Sequence, residues 1–540
     1  MRSIFGKSAT AAACITILVL SGCRIPGLCC PDPPPPLPDT FNGVTTAENS
    51  AQVGIVEFFN DPPLTRLLIQ GLVQNQELKI RNQEIWIAGN EVMASRGAYL
   101  PFLGGSARGG FERNSRFTPL GAAEDQLTFP GGGRFPDPLG DVRLTTDLFW
   151  QVDIWRQLRN ARDAANHRYI EAIEDRNYLI TRLVAEIAEN YYELASLDQR
   201  LAFFNQTIQL LEQSLEVARA QKAAARGTEL GVQRFLAEVR KNQSQRFIIQ
   251  QRIIEVENRI NFLVGRFPQP VEHTSWNAIN LDARILYVGF PAQLLENRRD
   301  VRAAERELAA AGLDILVARA RFYPRLIITA GVGFEAFSPK YLFDPGAFIA
   351  NAAGELTAPL VNRLAIRADY QSANARQLQA VYNYQRTVLN AYIEVVNSMN
   401  KARNYGQSVG IKQEQVKALE ESVNVARDLF NRPIVEAFAR VEYVDVLLAT
   451  RDLLEARSVL LETRQQQLSA IVRTYQALGG GYLVSNTGPE FPELFCTPAN
   501  IQLPDVTLPP ASNPGTMPPP GAEVLPPPAE QQPAADRPAP

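Results

Sequence analysis

The side chains best equipped for chemistry are few in this chain and poorly placed to act together. Its two histidines, His167 and His273, belong to no HExxH helix and to no cluster with carboxylates that would bind zinc. Its five cysteines include no paired CxxC motif. The glycine runs "PGGGR" and "LGGGY" lack the Lys-Ser/Thr that completes a phosphate-cradling loop, so they read as a flexible loop and a helix stop. No serine or cysteine sits in a strand-turn-helix elbow that would expose a nucleophile. Four methionines are too few for a Met-rich metal relay. This inventory points away from an enzyme and implies neither a cofactor nor a metal site.

Charge excludes another class. The 54 basic residues are interspersed with 57 acidic ones, leaving a net charge of -3 and no basic block to neutralise phosphates, so nucleic acid is not an expected partner. The N-terminus is more telling. Arg2 and Lys7 precede the apolar run "ATAAACITILVL", which is too short to span a bilayer but suits a signal peptide over 1-22. "LSGC", Leu20 to Cys23, then resembles a bacterial lipobox, making Cys23 the expected lipid attachment site and the first mature residue. Arg24 follows it where an Asp would favour inner-membrane retention, which leans towards the outer membrane. Cys29, Cys30 and Cys496 remain, and three thiols cannot all pair within one chain. A long disulfide to Cys496 and free thiols both stay open.

Both ends read as unfolded: a Pro-rich tether over 23-44 and a Pro-rich tail over 486-540. Between them lie two long helical patterns. Residues 157 to 226 contain no Gly or Pro, and residues 361 to 432 contain only Gly406 and Gly410. At about 1.5 Å per residue, seventy helical residues would reach roughly 105 Å. Leu194, Leu197, Leu201, Phe204, Ile208, Leu211, Leu215 and Ala218 alternate steps of three and four, as coiled coils require. Val416, Leu419, Val423, Ala426 and Phe430 repeat the pattern, and so do Val444, Leu447, Leu454, Leu461, Leu468 and Val472. Return helices are expected at about 229-264 and 441-478, giving a helical hairpin over about 156-264 and another over about 361-478. Their turns lie near "ARGTELG" and "FNRPIVEAFA".

Strand patterns precede each long helix. "VRLTTDLFWQVDI" sets Val142, Leu144, Leu148, Trp150, Val152 and Ile154 against Arg143, Thr145, Asp147, Gln151 and Asp153. "FYPRLIITAGVGF" puts Leu326, Ile328, Ala330, Val332 and Phe334 on one side, and "FIANAAGELTAPL" opposes Phe348, Leu356 and Leu360 to Asn351, Glu355 and Thr357. Apolar on one face and polar on the other, at about ten residues per strand, matches a membrane β-barrel with a wet lumen. The chain thus divides into a first part over 45-270, with a strand hairpin at about 98-155, and a second over 271-485, with a helix at about 291-323 and a strand hairpin at about 324-360. Four strands cannot close a barrel, and open sheet edges are intolerable in lipid, so oligomerisation follows; three chains would supply twelve strands.

Five segments in this order, "DPPLTRLLIQGLVQNQEL", "WQVDIWRQLRNARDAA", "RRDVRAAERELAAA", "ARARFYP" and "YQALGGGY", resemble the TolC-like outer membrane factors. The lipoprotein branch of resistance-nodulation-division efflux systems is the nearest fit, over about residues 56 to 484. The resemblance implies a mainly α fold with membrane β: two structural repeats with four transmembrane strands per chain. It further implies a homotrimer with an α-barrel and a 12-stranded β-barrel, spanning outer membrane lipid. Its function would be an exit duct served by a periplasmic adaptor and an inner-membrane efflux pump.

Site residues carry over in part. "VDVLLA" matches the family's aperture segment at Asp445, with Leu448 where a second acid stands in TolC; the alternative is a solvated helix carboxylate. Helical tips and adaptor contact fall on Arg226, Gly227, Thr228 and Glu229, where Gly231 replaces the usual Asp, and on Arg432, Pro433 and Glu436. The second tip is about six residues longer than the usual pattern. A structural coiled-coil lipoprotein and a periplasmic adaptor are the alternatives; the first would lack alternating strands and the second would carry one hairpin with lipoyl-like domains.

Overall fold

Gly and Pro are scarce where the chain is helical and cluster where it turns, and the secondary structure follows them. A computed structural model describes residues 25-28, 36-130, 132-225, 227-279, 281, 286-359, 361, 363-431 and 443-483. Cys23, Cys29, Cys30 and Cys496, the signal segment, the Pro-rich tail, and the tip residues Arg226, Arg432, Pro433 and Glu436 lie outside them.

The first part of the chain contains α1 (Ile55–Phe59), α2 (Pro62–Gln74), α3 (Gln76–Ala98), β1 (Phe102–Glu112), α4 (Pro119–Glu124), β2 (Leu139–Val152), α5 (Gln157–Ala223) and α6 (Glu229–Leu263). A single turn at Leu294–Asn297 introduces the second: α7 (Arg299–Ala320), β3 (Arg325–Ala336), β4 (Phe348–Thr357), α8 (Leu364–Asn431) and α9 (Tyr443–Ala477). Helix, two strands, long helix and return helix therefore occur twice in the same order. The long helices α5 and α8 have 67 and 68 residues, so each is roughly 100 Å long. None of the described helices is long and apolar enough to cross a membrane.

One family-like segment and one expected helix are interrupted, each for a local reason. "DPPLTRLLIQGLVQNQEL" breaks at Asn75, whose side chain accepts from the Leu78 amide as the cap of α3 and donates to the Leu263 carbonyl at 2.8 Å. The helix expected from 291 begins at Arg299, because Arg298 is extended and its guanidinium is needed elsewhere, as described below. The strand expected to continue through Asp153 and Ile154 ends at Val152. Asp153 instead accepts the Leu158 and Arg159 amides at 3.0 Å each and so caps the start of α5.

The heptad stripes are buried as their period requires, with partners the period could not name. Leu211, Leu215 and Ala218 of α5 pack on Val232, Phe235 and Val239 of α6. Val416 and Val423 of α8 pack on Leu453 and Ala456 of α9. The stripe of α9 that contains Leu447 and Leu454 turns the other way: Leu454 joins Phe204 of α5 and Ile249 of α6, and Leu447 lies against the α5-α6 cluster. Helix α9 thus has two apolar seams, one for each hairpin. Gly406 permits a close approach between α8 and α9, since a Cβ there would lie 2.8 Å from Gln467 Nε2.

The return helices stop at glycine. Gly265 (φ 74°) and Gly479 (φ 98°) adopt left-handed conformations. A Cβ at Gly480 would lie 2.3 Å from the Tyr475 ring. That ring stacks on Phe58 at 3.8 Å, and its hydroxyl donates to the Val53 carbonyl at 2.6 Å. The end of the second part is thereby sealed against the start of the first.

Candidate functional site

The four strands form one antiparallel sheet in the order β1-β2-β3-β4, and its register decides which side chains share a face. Leu144 pairs with Ala107 and Phe334, Leu148 with Leu103 and Ala330, and Trp150 with Ile328. Leu326 and Phe334 pair in turn with Leu356 and Phe348. Directly paired residues point to the same side, so all the apolar sets fall on one face. The opposite face carries Ser106 against Thr145, Arg108 against Arg143, Asp147 against Gly331 and Gly331 against Asn351, with Glu335 beside Arg143. The apolar face is bare in the single chain: Leu103, Phe111, Val332, Phe348 and Leu356 are all exposed. Phe102 and Phe149 are exceptions to the two-faced rule. They pair with each other on the polar face and are 69% and 48% exposed.

Hydrogen bonds order that polar face. The Thr145 hydroxyl, itself buried, donates to Asp147 Oδ2 at 2.9 Å and lies 2.8 Å from the Ser106 hydroxyl. Arg108 pairs with Asp141 at 3.3 Å and Arg143 with Glu335 at 3.9 Å, which offsets the repulsion of two arginines set directly opposite each other. Beyond the strands, Phe129 and Phe135 of the β1-β2 loop each pack on Phe337 of the β3-β4 loop at 5.2 Å. The β1-β2 loop also holds a cavity of about 320 Å³ beside α4. Its charges neutralise one another, Arg113 and Arg116 both reaching Asp137 at 3.1 and 3.3 Å.

At the other end of the strands aromatic side chains pack, one of them, Trp155, joining the two halves. Trp155 stacks on Tyr323 at 4.7 Å and its indole donates to the Pro324 carbonyl at 2.7 Å; the Trp150 indole donates to the Tyr99 carbonyl at 3.1 Å. Such amphipathic rings suit a membrane-water boundary.

The structure brings part of the first tip together. The Gly227 amide donates to the Gln221 carbonyl at 3.1 Å, Thr228 caps α6 by accepting from the Gly231 amide at 3.3 Å, and Ala225 takes the left-handed conformation that reverses the chain. Glu229 is exposed and pairs with Lys222 across the turn, while Gln233 donates to it at 2.6 Å. Asp445 is exposed in the first turn of α9, and Val446 beside it is buried. Leu448 is exposed as well, so the two positions of the expected aperture segment are both on the surface of the chain.

A charged lattice under α7 was not legible as a unit. Arg298 is 2% exposed and reaches Asp300 at 2.6 Å, Glu394 of α8 at 2.7 Å and the Ala477 carbonyl at 3.1 Å, tying three helices. Burial would lower its pKa, but the two carboxylates outweigh that and hold it charged. Buried Glu174 of α5 bridges Arg299 and Arg302 at 3.2 and 3.0 Å. About two turns along α5, Arg168 bridges Asp314 at 2.5 Å and Glu307 at 3.4 Å. Burial, then the facing Glu307 and the nearby Asp175, push Glu171 up to about 8. The "RRDVRAAERE" charge density was the only sequence signal of this lattice. Among the described residues no group of three or more His, Cys, Asp or Glu could hold a metal ion.

Comparison with known proteins places this architecture. The solvent efflux pump outer membrane protein SrpC of Pseudomonas putida is 27% identical over 430 residues, covering 79% of this chain and 87% of SrpC. The cation efflux system protein CusC of Escherichia coli K12 is 24% identical over 472 residues, covering 86% of this chain and 97% of CusC. The open state of the Neisseria gonorrhoeae MtrE outer membrane channel superposes with a TM-score of 0.73 at 20% identity, over 86% of this chain and all of that one. A solved structure of CusC gives 0.72 at 22% identity, covering 84% and 99%. Residues 67–266 and 290–480 match the model of the outer membrane efflux protein family, and with both hairpins, both strand pairs and the glycine stops inside that match, the chain belongs to this family.

Proposed function

We propose that three copies of this chain form the outer-membrane exit duct of a tripartite efflux system, passively conducting substrates handed on by a periplasmic adaptor and an inner-membrane pump. The observation that carries this reading is the sheet. It is apolar on one face and polar on the other, and β1 and β4 are edge strands within the chain. Backbone groups cannot be left unpaired in lipid, so β4 of one copy pairs with β1 of the next, and twelve strands close around the polar faces. The long hairpins continue the duct into the periplasm as an α-barrel. Acylated Cys23 anchors the mature N-terminus in the outer membrane. Asp445, exposed at the start of α9, forms the periplasmic aperture with its two symmetry mates. The tips around Gly227, Thr228 and Glu229, with Arg226 and the Arg432, Pro433 and Glu436 segment, meet the adaptor.

Fractionation followed by SDS gels run with and without heating tests the reading. An outer-membrane species that migrates as a trimer until heated is expected. A soluble or heat-insensitive monomer would overturn the duct and favour a structural lipoprotein.

A further inference from the structure

One level of the polar sheet face combines features that the barrel itself does not require. Gly104, Asp147, Gly331 and Asn351 are successive partners across all four strands. Both glycines make room for their neighbours. A Cβ at Gly104 would lie 3.2 Å from Cε1 of Phe102, so the exposed Phe102 ring leans over Gly104. A Cβ at Gly331 would lie 2.6 Å from Asp147 Oδ1 and 2.7 Å from Asn351 Oδ1, so two acceptor oxygens converge on the bare backbone there. Thr145 holds the other carboxylate oxygen, Oδ2, at 2.9 Å, which fixes the carboxylate with Oδ1 turned to the glycine. With strands about 4.8 Å apart, the level runs roughly 14 Å from ring to amide.

We infer that this level is a binding site for organic cations, an ammonium group lying over Gly331 between Asp147 and Asn351 while its apolar body rests on the Phe102 ring. The carboxylate supplies a full opposite charge to the ammonium, and the Phe102 ring over Gly104, two strands away, offers an apolar face to the body of the ligand. A bare divalent ion is a poorer occupant, because Ca²⁺ takes six to eight oxygens and this level offers two converging ones. The inference rests on the duct reading for its biological sense, since it puts three such sites on the wall that substrates pass. Its occupancy does not depend on conduction.

The test is equilibrium binding to the purified full-length protein in detergent, followed by ligand-observed saturation-transfer NMR. The probe is phenyltrimethylammonium, with benzenesulfonate as the anion of similar size and CaCl2 as competitor. Saturable binding of the cation and none of the anion is expected. Asp147→Asn should weaken it about fivefold or more and Phe102→Leu about threefold, while Phe102→Tyr, which keeps the ring, should bind like wild type. Gly331→Ala gives an independent arm, since its methyl enters the space between the two oxygens and should also weaken binding. Far-ultraviolet circular dichroism confirms that each variant is folded. The site is refuted if benzenesulfonate binds as well as the cation, or if Asp147→Asn and Phe102→Leu both leave affinity unchanged. It is also refuted if Ca²⁺ displaces the probe while Phe102→Leu has no effect, which would leave an inorganic ion site. A protein that neither trimerises nor conducts would refute the duct, and the binding result would stand apart from it.

Discussion

Replacing Ile328 by Arg asks the most of the sheet, because the neighbouring Thr329 provides the control one residue away on the other face. Ile328 pairs with Trp150 and Gly354 on the apolar side; Thr329 pairs with Phe149 and Ala353 on the polar side. Strand β3 has 12 residues. At about 3.3 Å per residue and a tilt near 40°, it rises about 2.5 Å per residue and covers roughly 30 Å along the membrane normal. The strand midpoint lies between Ala330 and Gly331, which puts Ile328 about 6 Å from the bilayer midplane. An Arg costs about 2 to 4 kcal/mol at the midplane and 0 to 1 near the interface, so Ile328→Arg should cost about 2 kcal/mol per chain. That is a factor of roughly 30 in the equilibrium for one chain, compounded over three copies in a trimer. Thr329→Arg meets water and should cost well under about 1 kcal/mol, whereas Ala330→Arg, nearest the midplane, should cost the most. The assay is the fraction of heat-modifiable trimer in outer-membrane extracts, followed by urea titration. Equal losses for Ile328→Arg and Thr329→Arg, or the reverse order, would show that the polar face is not the wet one.

Three further outcomes are expected. Cys23→Ala should abolish incorporation of radioactive palmitate and weaken outer-membrane targeting, yet leave the helical content of the product intact; equal labelling of wild type and variant would remove the lipid anchor. In planar bilayers, wild type should conduct little and prefer cations, and multivalent cations added on the tip side should block it; Asp445→Ala should reduce that block with a modest rise in conductance, and unchanged block and selectivity would take Asp445 off the pore axis. Glu171, pushed up to about 8 by burial and by Glu307 and Asp175, favours its neutral form in the folded chain. Its contribution is therefore complete below the ordinary carboxylate range and is lost as pH rises towards 8, so Glu171→Gln should match wild type in thermal unfolding at pH 4 and exceed it at pH 8.5. Parallel pH profiles for the two would show that Glu171 is ionised in the fold.

How far the sequence could be read depended on how local each determinant is. The helices were legible because their stripes repeat at 3.5 residues and their ends carry glycine, as at Gly265 and Gly479. The strands were legible because their period is 2. Asp153 shows the limit of period reading: it alternates like a strand residue, but its carboxylate serves the Leu158 and Arg159 amides. Of the candidate site residues, Thr228 was expected only at the helical tip, and neither its cap on the Gly231 amide nor the pairing of Glu229 with Lys222 across the turn was read from the "TELG" segment.

By itself the sequence determined the two-faced strands, the two long helices and their returns, and the order in which they occur, because periodicity, capping and chain-breaking act within a few residues. Tertiary structure alone decided that the Leu447 and Leu454 stripe of α9 faces the first hairpin and that Arg298 ties α7, α8 and the end of α9. It alone also placed Asp147 and Asn351 on one level with two glycines and leaned the Phe102 ring over the first of them. Those arrangements join residues up to about 250 positions apart. Register and helix rotation set them, and both come from packing the whole chain at once.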